Sequence, residues 1–316
     1  MKERILPLLK CRQSNSYLEL VPFEAIEENA GKDQKELDIV SGVLLSKEGF
    51  AYPIIDSIPR IIEGAIYIYN DFVRKWYPEL KKCGALNEIS LQKPSREFEK
   101  FIMPTLKRFE LEWAKHDLSD NTWGLKQDVR LRHFLRYINW NKEDVKGKIV
   151  LDAGAGSGQH TCHIATLGAE VIGLDISPSI IKGQHYRNKL PAEVAKNIHF
   201  IQGDVLSPPF IESVFDGVYS SGVLHHTPNT KSAFMSISKH TKSNGTLSVW
   251  LYKKSDGRIP LLPFIRGRFF SIKVNYLRKF TPKLPNKLLY FLISVYVIIF
   301  HIFYKLGGFI RGKNTH

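Results

Sequence analysis

Between residues 148 and 252 the chain alternates between two apolar periodicities. Ile149, Val150 and Leu151 form a short continuous apolar run, the signature of a strand buried on both faces. Glu170–Ser177, His199–Val205, Phe215–Leu224 and Thr246–Tyr252 repeat that signature. Gln159–Leu167, Pro178–Leu190 and Asn229–Lys242, which separate them, carry helical spacing. Strict alternation of strand and helix predicts a parallel sheet covered on both faces, an α/β doubly wound fold. Upstream, Ile66, Tyr69, Phe72, Val73 and Trp76 predict a helix, and Gly84–Ser95 a link. Arg96–Asp117 is expected to be helical and interrupted at Pro104. Leu125–Trp140 predicts a third helix with Leu131, Phe134, Leu135 and Ile138 on one face.

The chemistry concentrates where the first strand of that alternation ends, in KIVLDAGAGSG. Asp152 closes the strand, and Gly154, Gly156 and Gly158 follow at every second position. Glycine lets the backbone turn sharply and a ligand approach closely. A dinucleotide fingerprint would place its third glycine at position 159, which is Gln159, so a nicotinamide reading fails on spacing. The second strand ends in Asp175, 21 residues after Gly154, where an acid meets ribose hydroxyls in doubly wound folds.

VLDAGAGSG, VIGLDIS, QGDV and FDGVYSSGVLHHTPN, in that order, resemble the successive motifs of class I S-adenosylmethionine (SAM)-dependent methyltransferases of the type 11 group. The resemblance covers residues 148–252. It implies a Rossmann-like, mostly parallel sheet over 146–252 and SAM as the cofactor. Asp152, Gly154, Gly156 and Gly158 would line the methionine end of SAM. Asp175 and Ile176 would hold the ribose side, and Asp204 and Val205 would flank the adenine. His225 and His226 follow the fourth strand, where open α/β sheets put their ligands, and are the catalytic candidates. A neutral histidine there could take a proton from a hydroxyl as the methyl arrives. Methylases of amide or base nitrogens usually carry N/D-P-P-Y at this point. Ser220, Ser221, Gly222 and Val223 stand there instead, which favours oxygen as the acceptor atom.

The rest of the chain departs from that pattern. Residues 1–62 resemble a zinc-ribbon-like domain found in activators of tRNA methyltransferases, and are expected to form a separate small unit. Of its four ligand positions only Cys11 keeps a thiolate; Ser14, Ser46 and Gly49 occupy the others. A structural zinc needs four good donors, so no metal is expected. Residues 63–145 read as a helical linker or cap. RFELEW and NTWG resemble segments that close over the site in related methyltransferases, which makes Trp123 a candidate cover. Residues 253–316 offer no pattern for the two strands that usually finish the sheet. A SAM-holding but catalytically incompetent binding module therefore stands as the alternative to an enzyme.

Charge then changes the picture of the tail. The chain carries a net +14. From Lys253 to His316, eight lysines and five arginines against Asp256 alone give +12. Leu288–Tyr304 has no charged residue and is apolar all round. The tail is read as a helical lid, as a segment lying on an anionic membrane surface, or as a short span. Nucleic acid is disfavoured as a partner, because the charge does not run along a groove-forming domain. A small-molecule or glycan-type acceptor is expected. The N-terminus shows no signal peptide, and Cys11, Cys83 and Cys162 are few and scattered. Both point to a cytoplasmic protein, peripheral to the membrane if the tail binds it.

Overall fold

The computed structural model describes residues 1–31, 34–107, 110, 126–252, 284–285 and 287–298. Two compact units are distinguished, Met1–Tyr252 and Lys253–His316. The first is organised by a nine-stranded sheet: β1 (Leu18–Gly31), β2 (Gln34–Ser46), β3 (Ala51–Ile55), β4 (Ile58–Ile61), β5 (Ile149–Ala153), β6 (Glu170–Asp175), β7 (Ile198–Gly203), β8 (Phe215–Ser221) and β9 (Thr241–Trp250). Their order is β1-β2-β3-β4-β7-β6-β5-β8-β9.

Strands β7-β6-β5-β8-β9 pair in parallel, as the strand–helix alternation requires. Val150, Leu151, Val171, Ile172 and Val218 are fully buried, which explains why these strands read as continuous apolar runs. Helices Gln159–Ala165, Ile181–Arg187 and Thr230–Ser238 make the connections. Because β5 is flanked by β6 on one side and β8 on the other, the winding reverses there. The carboxyl side of such a switch point is where α/β sheets bind ligands.

The expected separate unit at 1–62 is instead part of the sheet. β1 to β4 form an antiparallel meander, and β4 then pairs in parallel with β7 through Arg60↔Gln202 and Ile61↔Gly203. The edge of the parallel sheet is thereby covered, which removes an exposed ladder. Met1, Ile5, Leu44, Tyr52 and Ile61 share one buried cluster with Leu151, Ile172 and Leu174, so the core is common to both regions.

The ligand positions of the ribbon are also accounted for. Cys11 Sγ accepts the Ser14 N–H at 3.5 Å, and Ser46 Oγ accepts the Phe50 N–H at 3.1 Å, so each turn closes on itself. Glu48 ties the two turns together, accepting from Ser14 Oγ at 2.6 Å and Ser16 Oγ at 2.7 Å. Among the described residues no group of three or more His, Cys, Asp or Glu side chains is placed to hold a metal.

Pro104 does not interrupt its helix. The chain is helical on both sides of it, and Phe98–Ile102, just before it, is a π-helical turn. The widened turn accommodates a ring that carries no N–H and would collide with the carbonyl four residues back. Trp123 lies outside the described residues.

Candidate active site

The glycine loop leaves β5 and is pinned to the end of β6. Gly154 and Ala155 donate their N–H groups to the Leu174 carbonyl at 2.7 and 3.0 Å. Gly156 N–H donates to Asp175 Oδ2 at 2.8 Å, and Ser177 N–H to Asp175 Oδ1 at 2.8 Å. Gly154 has φ +94°, and a Cβ there would stand 2.2 Å from the Val223 side chain. Gly158 has φ +75°, and its Cβ would meet Phe200 at 2.6 Å. These two glycines therefore admit a neighbouring loop and a ring rather than leaving space for a ligand. Gly156, at φ +59°, presents its N–H to the carboxylate of Asp175.

The four acidic and apolar positions expected on the nucleoside side come together at one edge of the sheet. Asp175 ends β6 and Ile176 follows it; Asp204 and Val205 follow the end of β7. Burial raises the Asp175 carboxyl above the usual range, against the backbone donors of Ser177 and Gly156. Its two oxygens accept the Gly156 and Ser177 N–H groups, which leaves lone pairs for further donors. Asp204 is also raised by burial; its Oδ1 accepts the Leu206 N–H at 2.8 Å. Ile176 and Val205 pack on the main core cluster beside the two carboxylates. Two acceptor-only groups flanked by aliphatic side chains suit a ribose diol and an amino-bearing base.

Asp152, at the end of β5, is deeply buried. Its side chain is 4% exposed and accepts from Thr161 Oγ1 at 2.7 Å, beneath the loop. Burial lifts its carboxyl to about 6, against the Thr161 hydroxyl and the Arg130 charge. Asp152 therefore braces the glycine loop onto the following helix.

Arg130 is the residue that the sequence reading passed over. It lies on helix Gln127–Ile138, donates to Gln159 Oε1 at 3.2 Å, and faces the charge of Asp152. Burial lowers its pKa from the usual arginine value, against Asp152, Tyr219 and Tyr186. The signal was available. Arg130, Phe134 and Ile138 are spaced i, i+4, i+8, and Phe134 and Ile138 are wholly buried. A guanidinium on the buried stripe of an amphipathic helix is a polar group sent inward.

His225 and His226 close a 3₁₀ turn directly after β8. The His225 ring centroid is 4.2 Å from that of His226 and 4.1 Å from that of Tyr252. Both His225 ring nitrogens are buried and lack a hydrogen-bond partner. Burial, and then the neighbouring His226, lower its pKa, so it is neutral at pH 7. Trp250 packs edge-on against Tyr252 at 5.2 Å, and both are substantially exposed. An aromatic platform thus sits at the ends of β8 and β9, beside the glycine loop, to which Ser220 Oγ is tied through the Ala153 carbonyl at 2.7 Å.

A family model described as a methyltransferase domain matches residues 151–249, the span from β5 to β9. The cofactor of this domain is S-adenosylmethionine, as expected, and the residues at the ends of β6 and β7 fit it. The chain is 32% identical over 131 residues to a sterol 24-C-methyltransferase of Saccharomyces cerevisiae, covering 40% of this chain and 33% of the relative. It is 30% identical over 135 residues to a magnesium-protoporphyrin O-methyltransferase of Rhodobacter capsulatus, covering 42% and 59%. The chain thus spans less than two thirds of either curated relative. Among solved structures, it is similar to the N-methyltransferase NodS of Bradyrhizobium japonicum in complex with S-adenosyl-L-homocysteine. That match has TM-score 0.38 and 18% identity, and covers 46% of this chain and 71% of NodS.

Proposed function

We propose that the protein transfers a methyl group from SAM to a small-molecule or glycan-type acceptor, at an oxygen atom. One observation carries this reading: the glycine loop, Asp175, Asp204 and His225 share the carboxyl edge of four adjacent strands. Bound SAM supplies an electrophilic methyl on a sulfonium. Asp175 takes the ribose hydroxyls, with Ile176 beside it, and Asp204 and Val205 take the adenine. Gly154, Gly156 and Gly158 shape the loop, and Asp152 holds it. Arg130 pairs with the carboxylate of the methionyl part, a charge-assisted contact made stronger by its partial burial. His225 accepts the proton of the acceptor hydroxyl, and His226 stacks against it. Tyr252 and Trp250 form the wall on which the acceptor lies. Alignment of nucleophile and methyl supplies much of the rate in such transfers.

The curated relatives are named for carbon and oxygen methylation, so their names do not choose the atom. Oxygen is favoured by the neutral, unpartnered imidazole of His225. A screen of acceptor hydroxyl compounds with methyl-labelled SAM tests the proposal. Transfer that is lost in His225→Ala supports it. If SAM binds and no acceptor is methylated, the chain is a SAM-holding module.

We also propose that the tail brings the enzyme to an anionic membrane surface from the cytoplasmic side. The described helix 287–298 exposes its large apolar side chains, Phe291 at 65% and Ile298 at 60%. Among the described residues no helix is long and apolar enough to cross a membrane. An apolar helix in a segment of charge +12 suits an anionic lipid surface. Sedimentation with anionic vesicles, comparing the full chain with one ending at Lys254, tests this. A full chain that stays in the supernatant at low salt contradicts it.

A further inference from the structure

Between the N-terminal meander and the cofactor strands lies a polar row that the methyl-transfer reading does not use. Arg60 on β4 pairs in register with Gln202 on β7, and Gln202 with Asp175 on β6. Gln202 is 1% exposed and Arg60 4%, so both polar groups have been taken out of water. Burying such groups costs free energy unless their hydrogen bonds are made. Gln202 makes them on two sides. Its Oε1 accepts from Arg60 Nη1 at 3.4 Å and from the Tyr69 hydroxyl. Its Nε2 donates to the Ile176 carbonyl at 2.9 Å.

These partners allow the amide one orientation. A guanidinium can only donate and a carbonyl can only accept. Turning the amide over would set its N–H groups against Arg60 and its oxygen against the Ile176 carbonyl. The Arg60 guanidinium also lies over the Tyr69 ring, 5.6 Å from its centroid, which keeps the two donors together. The Ile176 carbonyl belongs to the trans peptide that carries the Ser177 N–H, and in a trans peptide these two groups point in opposite directions. Gln202 holds the carbonyl, and on the far side the N–H meets Asp175 Oδ1 at 2.8 Å. Ser177 is wholly buried, and its Oγ accepts the Ser179 N–H at 3.2 Å, so the next turn is fixed as well. The plane of this one peptide therefore sets where the Asp175 carboxylate points.

We propose that Gln202 is a positioning residue for the cofactor: oriented by Arg60 and Tyr69, it holds the Ile176–Ser177 peptide and so aims Asp175 at the ribose. This rests on the methyl-transfer reading, in which Asp175 takes the ribose hydroxyls. The N-terminal region then does more than cover an edge of the sheet, because Arg60 and Tyr69 help set how tightly SAM is held. A carboxylate that is already aimed gives up less freedom when its ligand arrives, so loss of the aim shows in affinity. A joint that only fastened the meander to the sheet would show in stability instead.

The test is isothermal titration calorimetry of the full chain with SAM at pH 7.5, with urea unfolding to show that each variant is folded. Gln202→Glu keeps an acceptor for Tyr69 and for Arg60, whose charge matches the new carboxylate, but sets an oxygen against the Ile176 carbonyl. It should bind SAM about tenfold more weakly. Tyr69→Phe, at a half-buried ring, removes one of the two donors to the amide and should weaken binding about threefold. Asp175→Ala supplies the readout that a structural joint would not move. Beside Asp175→Ala, either substitution should cost less than about a further twofold, because the residues act in series. If Gln202→Glu does not fold, Tyr69→Phe alone and beside Asp175→Ala carries the same comparison. The methyl-transfer reading and this proposal fall together if the wild-type chain does not bind SAM. The proposal alone is overturned if wild type binds SAM and either Gln202→Glu or Tyr69→Phe binds it equally well, or if their losses persist in full beside Asp175→Ala.

Discussion

Two turns in this molecule are each held by one carboxylate, and the two carboxylates behave oppositely. At the glycine loop, Asp175 accepts the Gly156 and Ser177 N–H groups, yet burial keeps its pKa raised. In the N-terminal region, Glu48 accepts the Ser14 and Ser16 hydroxyls, and these bonds pull its carboxyl down to about 2. The difference lies in the surroundings. Glu48 is open to water, so its donors are a net gain. Asp175 has been drawn into the end of a buried sheet and holds a charge that its backbone donors only partly offset. A carboxylate in that condition gains from further donors, and the two hydroxyls of a ribose are such donors. The Glu48 carboxylate already has its donors. One carboxylate is left in want of donors, and the other is a satisfied structural tie.

Asp175→Ala breaks the comparison most severely. Hydrogen bonds to a charged acceptor are worth on the order of 1.5–3 kcal/mol, so SAM affinity should fall by at least about tenfold. Calorimetry giving equal affinity in wild type and variant would remove Asp175 from the site. Asp152→Asn sharpens the burial half of the argument. The wild-type carboxyl sits at about 6, above its ordinary 3.8. As pH rises from about 4 to about 6, the unfolded chain ionises there while the folded chain stays protonated, so stability falls across that window. The full penalty is roughly 3 kcal/mol at neutral pH. Asparagine can still accept from Thr161 and carries no charge. The variant should match wild type near pH 4 and unfold at higher urea at pH 7.5; identical midpoints at pH 7.5 would count against the burial account. Glu48→Ala is the mildest change. The depressed Glu48 carboxyl contributes stability above its ordinary 4.5, lost as pH falls toward 2. The variant should melt a few degrees lower at pH 7 and no lower than wild type near pH 2. A variant that melts with wild type at pH 7 would mean that Glu48 is no tie.

The parallel strands and the motif residues at their ends were legible because each is a local pattern: an apolar run, a glycine spacing, a terminal acid. The joining of the N-terminal meander to that sheet was not. It rests on β4, four residues long, pairing with a strand about 140 positions later, and parallel pairing leaves no local mark. The sequence marks Asp152 but not its hydrogen bond from Thr161, since that contact depends on how the helix seats on the loop. Arg130 was visible on a buried stripe, but its charge has a meaning only once Asp152 and Gln159 stand beside it. Strand β9 begins at Thr241, five residues earlier than its apolar pattern, because an irregularity between Phe215 and Gly217 of β8 lets the polar start of the strand pair.

The most direct test of the central claim is isothermal titration calorimetry of the full chain with S-adenosyl-L-methionine. The carboxyl edge of β5, β6 and β7 predicts saturable binding at one site per chain, weakened in Asp175→Ala. No detectable binding by the wild-type chain would contradict it.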